Sequence, residues 1–130
     1  MIPLTRLASY QSSPVSAHLS EERLAKAKAD TMVGGATLTG LLGTSAWYAP
    51  GAAGAALVAS IVRDEKRVFP CCVALNGEYG QSDICLGVPV VVGKNGWEKI
   101  VTLDLTEAEQ AEFNKSAAAV RSMNAVLDTL

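Results

Sequence analysis

Residues 68–105 read VFPCCVALNGEYGQSDICLGVPVVVGKNGWEKIVTLDL, and the periodicity of this stretch decides the fold. Val68 to Leu75 is strand-like, Asn76-Gly77 is a strong hairpin turn signal, Ile84 to Val92 is rich in β-branched residues, and Lys94-Asn95-Gly96 is a second turn. Val101, Leu103 and Leu105 then alternate with Thr102 and Asp104, the period of a half-buried strand. Three strands joined by tight turns predict an antiparallel meander. Pro89 falls in the middle strand, where a residue without an N–H prefers an edge or a bulge.

Outward from this stretch the period changes. Thr106 to Leu130 reads as a helix opened by a T-x-x-E capping box, Thr106 and Glu109. Its apolar stripe runs through Phe113, Ala117, Val120, Met123, Leu127 and Leu130. Burying the larger of these at roughly 1.5–3 kcal/mol each makes the helix a principal clamp on the sheet. On the other side, residues 1–19 read as extended or loop, with Gln11-Ser12-Ser13-Pro14 as turn chemistry. Ser20 is an N-cap followed by Glu21 and Glu22, so a helix starts there, runs to about Met32, pauses at Gly34-Gly35 and resumes through Leu38, Leu41 and Leu42 to Gly43. Thr44 to Pro50 is a polar-aromatic connection, and Pro50 or Gly51 opens a further helix toward Arg63. In that helix Ala53, Ala56, Leu57, Ser60 and Ile61 share a smooth face suited to helix packing or a subunit contact. The fold class is therefore α+β, with helices packed on an antiparallel sheet, and no repeat or linker marks a domain boundary.

The chain has 130 residues, which sets one domain as the ceiling, and is 49% apolar and 18% charged, a balance that excludes a disordered polyelectrolyte. A net charge of -2 gives no electrostatic footprint for nucleic acid or an anionic membrane. Met1 to Arg6 shows no secretory signal, and the expected location is cytoplasmic. Thr31 to Val62 carries no charge, but its glycines, Pro50 and alanine-dominated apolar content read as mostly buried segments rather than a membrane span. Cys71, Cys72 and Cys85 have neither disulfide-framework nor zinc spacing, and read as reduced thiols in apolar strands. No metal motif and no glycine-rich phosphate motif occurs. The single histidine, His18, precedes a helix N-cap and has no evident orienting carboxylate.

Seven strings, in order, carry a resemblance. They are Met1-Ile2-Pro3-Leu4-Thr5-Arg6, Thr37-Leu38-Thr39-Gly40-Leu41-Leu42, Ser45-Ala46-Trp47-Tyr48-Ala49-Pro50, Pro70-Cys71, Leu75-Asn76-Gly77-Glu78-Tyr79-Gly80, Gly87-Val88-Pro89-Val90, and Gly93-Lys94-Asn95-Gly96 with Glu98-Lys99-Ile100. The chain resembles, from first residue to last, the C-terminal, substrate-side domain of the NAD-dependent malate dehydrogenases of the lactate/malate dehydrogenase family. The resemblance implies hydride transfer between C2 of malate and NAD, giving oxaloacetate, in a homo-oligomer, dimer or tetramer. It also implies that the catalytic His and Asp, the carboxylate-gripping arginines and the NAD-binding domain lie upstream of Met1, so that residues 1–130 form a partial substrate and oligomerisation domain, inactive alone and with exposed apolar surface. Within the chain it implies a substrate-pocket wall at Thr44, Ser45 and Gly35, with the Ser45 hydroxyl near the nicotinamide, and a pocket-side helix break at Gly34 and Gly35. Arg6 matches a motif arginine without becoming a carboxylate clamp, and His18 matches no catalytic position. The alternative is a non-catalytic oligomerisation or interaction domain derived from the family.

Overall fold

The computed structural model describes residues 2–129, the side chain of residue 128 excepted. They fall into two compact units, Met1–Trp47 and Tyr48–Leu130.

In the first unit, strands β1 (Ser9–Tyr10) and β2 (Ser13–Pro14) make a small hairpin. Its two turn residues, Gln11 and Ser12, have φ of 48° and 65°, the left-handed pair that matches the twist of antiparallel strands. The hydroxyl of Ser13 donates to Tyr10 O and shares a hydrogen bond with His18 Nε2, while the His18 ring meets Tyr10 edge-on at 5.6 Å. The one histidine is thus a strut of this hairpin. Helix α1 (Glu21–Leu42) follows, with the Ser20 side chain accepting from Arg23 N, and it ends on Gly43 at φ 69°.

Here the structure corrects the sequence reading, because α1 is continuous through Gly34-Gly35. An interior glycine costs about 1 kcal/mol relative to alanine but does not forbid helical backbone. The glycines therefore weaken the helix without breaking it. A second correction concerns burial. No residue of α1 is buried, and Met32, Val33, Leu38, Leu41 and Leu42 are all exposed. The segments of the uncharged run are thus not the mostly buried ones expected.

The second unit opens with α2 (Tyr48–Val62). It starts two residues before Pro50, which the first turn tolerates because N–H groups there lack intrahelical acceptors. Strands β3 (Arg67–Asn76), β4 (Ser82–Gly93) and β5 (Gly96–Ile100) form the antiparallel sheet in the order β3-β4-β5, as the turn signals predict. Ile84, Leu86, Val88, Val90 and Val92 of β4 are all buried, with Val73 and Leu75 of β3. Helix α3 (Glu107–Asn124) lays Phe113 and Ala117 into this core, and its capping box is formed on both sides. From α2, the fully buried Ser60 donates its hydroxyl to Val92 O at 2.8 Å.

The third strand lies earlier than its alternation suggested. Val101 to Leu105 keeps the alternating exposure but leaves the ladder after Ile100. The last bond toward β4 is Val101 N to Pro89 O, 2.8 Å. Its reciprocal would need an N–H that Pro89 lacks. The Tyr79 hydroxyl serves instead, donating to Val101 O at 2.7 Å and accepting from Leu103 N at 3.0 Å. Pro89 therefore sits in the central strand, opposite Pro70, with its missing donor replaced by a tyrosine.

The apolar stripe of α3 is also shorter than expected. Val120 is half-buried, whereas Met123 and Leu127 are each 69% exposed. The helix stops at Asn124, and Leu130 lies outside the described residues.

Candidate functional site

The predicted wall residues Thr44 and Ser45 sit in the connection 43–47. Gly43 ends α1 in the left-handed conformation, which frees the next residues from the helix and leaves both hydroxyls exposed. Gly35, the third predicted wall residue, lies on the helix that precedes them. It lies inside α1, seven residues before Leu42 and thus roughly 10 Å along the axis. Residues 43–47, GTSAW, hold no titratable side chain, so the loop can donate and accept hydrogen bonds but cannot move a proton at neutral pH. Arg6 lies exposed in a short 3-10 turn, Thr5–Leu7.

Titratable groups cluster elsewhere, around the β4–β5 turn. Lys66 Nζ lies 2.6 Å from both Glu98 oxygens and 2.8 Å from Asp64 Oδ1. Asp64 also accepts from Lys94 N at 2.8 Å. The Lys66 ammonium holds the Asp64 and Glu98 carboxyls below their ordinary range, and those carboxylates raise Lys66. Glu98 points here because it is the extra residue of a bulge, Val91 pairing with Lys99 and Val92 with Trp97. Gly93 leaves the space. A Cβ there would lie 2.6 Å from Asp64 Oδ1 and 2.8 Å from Glu98 Oε1.

A second polar cluster binds α3 to the loop after β3. Arg121 donates to Gln81 Oε1 at 2.8 Å and to Ser82 O at 3.0 Å, while Gln81 and Gln110 both donate to Asn114. The Glu78 carboxylate accepts from Asn76 N at 2.6 Å, which lowers its pKa. Sequence reasoning assigned no role to Tyr79, Gln81, Asn114 or Arg121. The signal for Tyr79 lay in the Glu78-Tyr79-Gly80 string, which is a fastening of the fold. Both clusters are structural. Among the described residues no group of three or more His, Cys, Asp or Glu side chains could hold a metal. No helix among them is long and apolar enough to cross a membrane.

This architecture matches a known one. Residues 6–127 fit the family model of the lactate/malate dehydrogenase alpha/beta C-terminal domain. The chain belongs to the lactate/malate dehydrogenase family. Over all 130 residues it is 63% identical to a malate dehydrogenase of Flavobacterium johnsoniae, and over 127 residues 64% identical to one of Bacteroides fragilis. It spans 42% and 41% of those two curated relatives. Among solved structures, the malate dehydrogenase from Salinibacter ruber superposes with a TM-score of 0.95 at 38% identity, matching 99% of this chain and 42% of that one. The Cryptosporidium parvum malate dehydrogenase gives 0.93 at 30% identity, matching 98% of this chain and 43% of that one. The fold is that of the family's C-terminal α/β domain.

Proposed function

We propose that these residues are the substrate-side part of an NAD-dependent malate dehydrogenase, which oxidises (S)-malate to oxaloacetate, a step of the tricarboxylic acid cycle. The observation that carries the proposal is the 63% identity to a malate dehydrogenase maintained over the whole chain. When bound, NAD supplies the hydride acceptor. The chain's own contribution is the wall at Thr44 and Ser45, whose hydroxyls stand exposed on a loop held by the Gly43 cap. Ser45 would offer one hydrogen bond near the nicotinamide and substrate. It cannot act as base. The G-x-x-x-D-T-M motif that carries the family's catalytic histidine has no match in residues 1–130, and neither has G-x-G-x-x-G. The proton acceptor, the carboxylate-gripping arginines and the dinucleotide cradle must come from the rest of the enzyme, so the chain alone should be inert.

A chimera tests this. The 130 residues replace the matching segment of the Flavobacterium johnsoniae enzyme, and malate-dependent NADH formation is followed at 340 nm, a wavelength that reports the reduced nicotinamide. The chimera should be active and the isolated chain should not. Ser45→Ala in the chimera should lower kcat/KM about tenfold, equivalent to one hydrogen bond of ~1.4 kcal/mol. A folded but inactive chimera, or NAD reduction by the chain alone, refutes the proposal.

The exposed apolar residues of α1 favour a second reading, a non-catalytic interaction domain of the same descent. A folded, inactive chimera that still assembles with intact Flavobacterium subunits would support that reading instead.

A further inference from the structure

The outward face of the sheet carries two of the three thiols. Side-chain alternation sends Cys71 and Cys72 to opposite faces. All three are free and lie in strands β3 and β4, as the sequence reading expected, with Cys71 half-buried and Cys72 and Cys85 exposed. In the β3–β4 ladder Cys72 stands opposite Gly87, and Ala74 opposite Cys85. The two thiols are therefore diagonal neighbours on one face. Val101 N donates to Pro89 O, which turns the backbone of Pro89, and by alternation that of Gly87 and Cys85, toward β5. Their pairs with β3 are then the non-hydrogen-bonded kind, in which opposed side chains come closest. The residues flanking the line between the sulfurs are a glycine and an alanine, and a Cβ placed on Gly87 would meet nothing within 4 Å. The space between the thiols is open.

Magnitudes decide what fits there. Diagonal neighbours lie roughly 7–8 Å apart at Cα and somewhat less at Cβ. A disulfide wants about 4.4–6.8 Å between Cα atoms, so it would need the strands to shift. One ion between two thiolates spans more, since two metal–sulfur bonds, each about 2.3 Å where the metal is zinc, separate the sulfurs by up to ~4.6 Å, against the single S–S bond of about 2 Å in a disulfide. Zinc needs four donors, and no third His, Cys, Asp or Glu joins the pair among the described residues. Two thiolates alone suit a soft ion of low coordination number.

We propose that Cys72 and Cys85 form a two-coordinate site for Cu(I). Capture exchanges protons for metal without electron transfer: two thiols and one Cu+ give a bis-thiolate cuprous complex of charge −1 and two released protons. The bound ion staples β3 to β4, and Cys71, on the other face, takes no part.

The test titrates the reduced 130-residue chain with Cu(I) under anaerobic conditions, in competition with a coloured bicinchoninate chelator. The unmodified chain and Cys71→Ser should each hold one Cu(I) per chain. Cys72→Ser and Cys85→Ser should each bind at least about tenfold more weakly, with unchanged far-UV circular dichroism. Cys72→Ala and Cys85→Ala repeat the comparison should a serine disturb its strand. Undiminished binding without Cys72 or Cys85, loss of binding in Cys71→Ser, or one copper shared between two chains in sedimentation would overturn the proposal.

Discussion

Tyr79 shows how much one side chain can decide. Its hydroxyl satisfies Val101 O and Leu103 N where Pro89 has no donor, its carbonyl accepts from Gln110 Nε2 at 3.1 Å, and its ring lies 5.2 Å from that of Phe113. Tyr79→Phe keeps the ring and strands both backbone groups. It should cost about 1–3 kcal/mol, read as a lower urea midpoint at unchanged m-value. The cluster at Lys66 makes a prediction about pH. Asp64 and Glu98 have depressed pKa values in the fold, so their contribution is full above the ordinary carboxylate range and is lost as pH falls through the folded values. Lys66 is raised, so its contribution is full below the ordinary lysine pKa and is lost as pH rises through the folded value. The melting temperature of the chain should therefore fall at both the acid and the alkaline end. Lys66→Gln should flatten both limbs, and an unaltered profile would show that the cluster contributes nothing.

At the scale of elements, the readings that succeeded rest on local chemistry. The capping box at Thr106 and Glu109, the N-cap at Ser20 and the β-branched run from Ile84 to Val92 in β4 each need only a few neighbouring residues. The reading of the third strand failed because it depended on partners distant in sequence. Val101 to Leu105 has strand periodicity, but Pro89 and Tyr79 decide that it leaves the ladder. The pause predicted at Gly34-Gly35 overestimated two glycines against a 22-residue helix with an N-cap and a glycine C-cap. A Cβ on Gly34 would meet nothing within 4 Å, so Gly34→Ala should stabilise the chain by about 0.5–1 kcal/mol in chemical denaturation. The candidate site was legible only in part. Thr44 and Ser45 emerged from a string of residues and share the loop, and Gly35 lies in the α1 helix that leads into it.

For the molecule as a whole, the large apolar side chains left outside are the main consequence of the fold. Leu41 is 80% exposed and Val62 78% exposed, and Met32, Val33, Leu38 and Leu42 add to the uncovered surface of α1. Apolar surface of this kind drives association. The chain should form oligomers whose weight-average mass in sedimentation equilibrium rises with concentration. Leu41→Glu should shift that curve toward the single chain while leaving circular dichroism intact. A mass independent of concentration at the single-chain value would refute this.

The sequence by itself determined the class of fold, the antiparallel meander of its main sheet, the capping of α1 and α3, and the family, because these depend on short-range periodicity and on residues read in line. The tertiary structure decided which strand segment stays in the ladder, why prolines can face each other at Pro70 and Pro89, where Glu98 points, and which two of three cysteines share a face. Those outcomes depend on register, and register is fixed only when a side chain from one strand or helix meets a backbone group, or another side chain, many residues away.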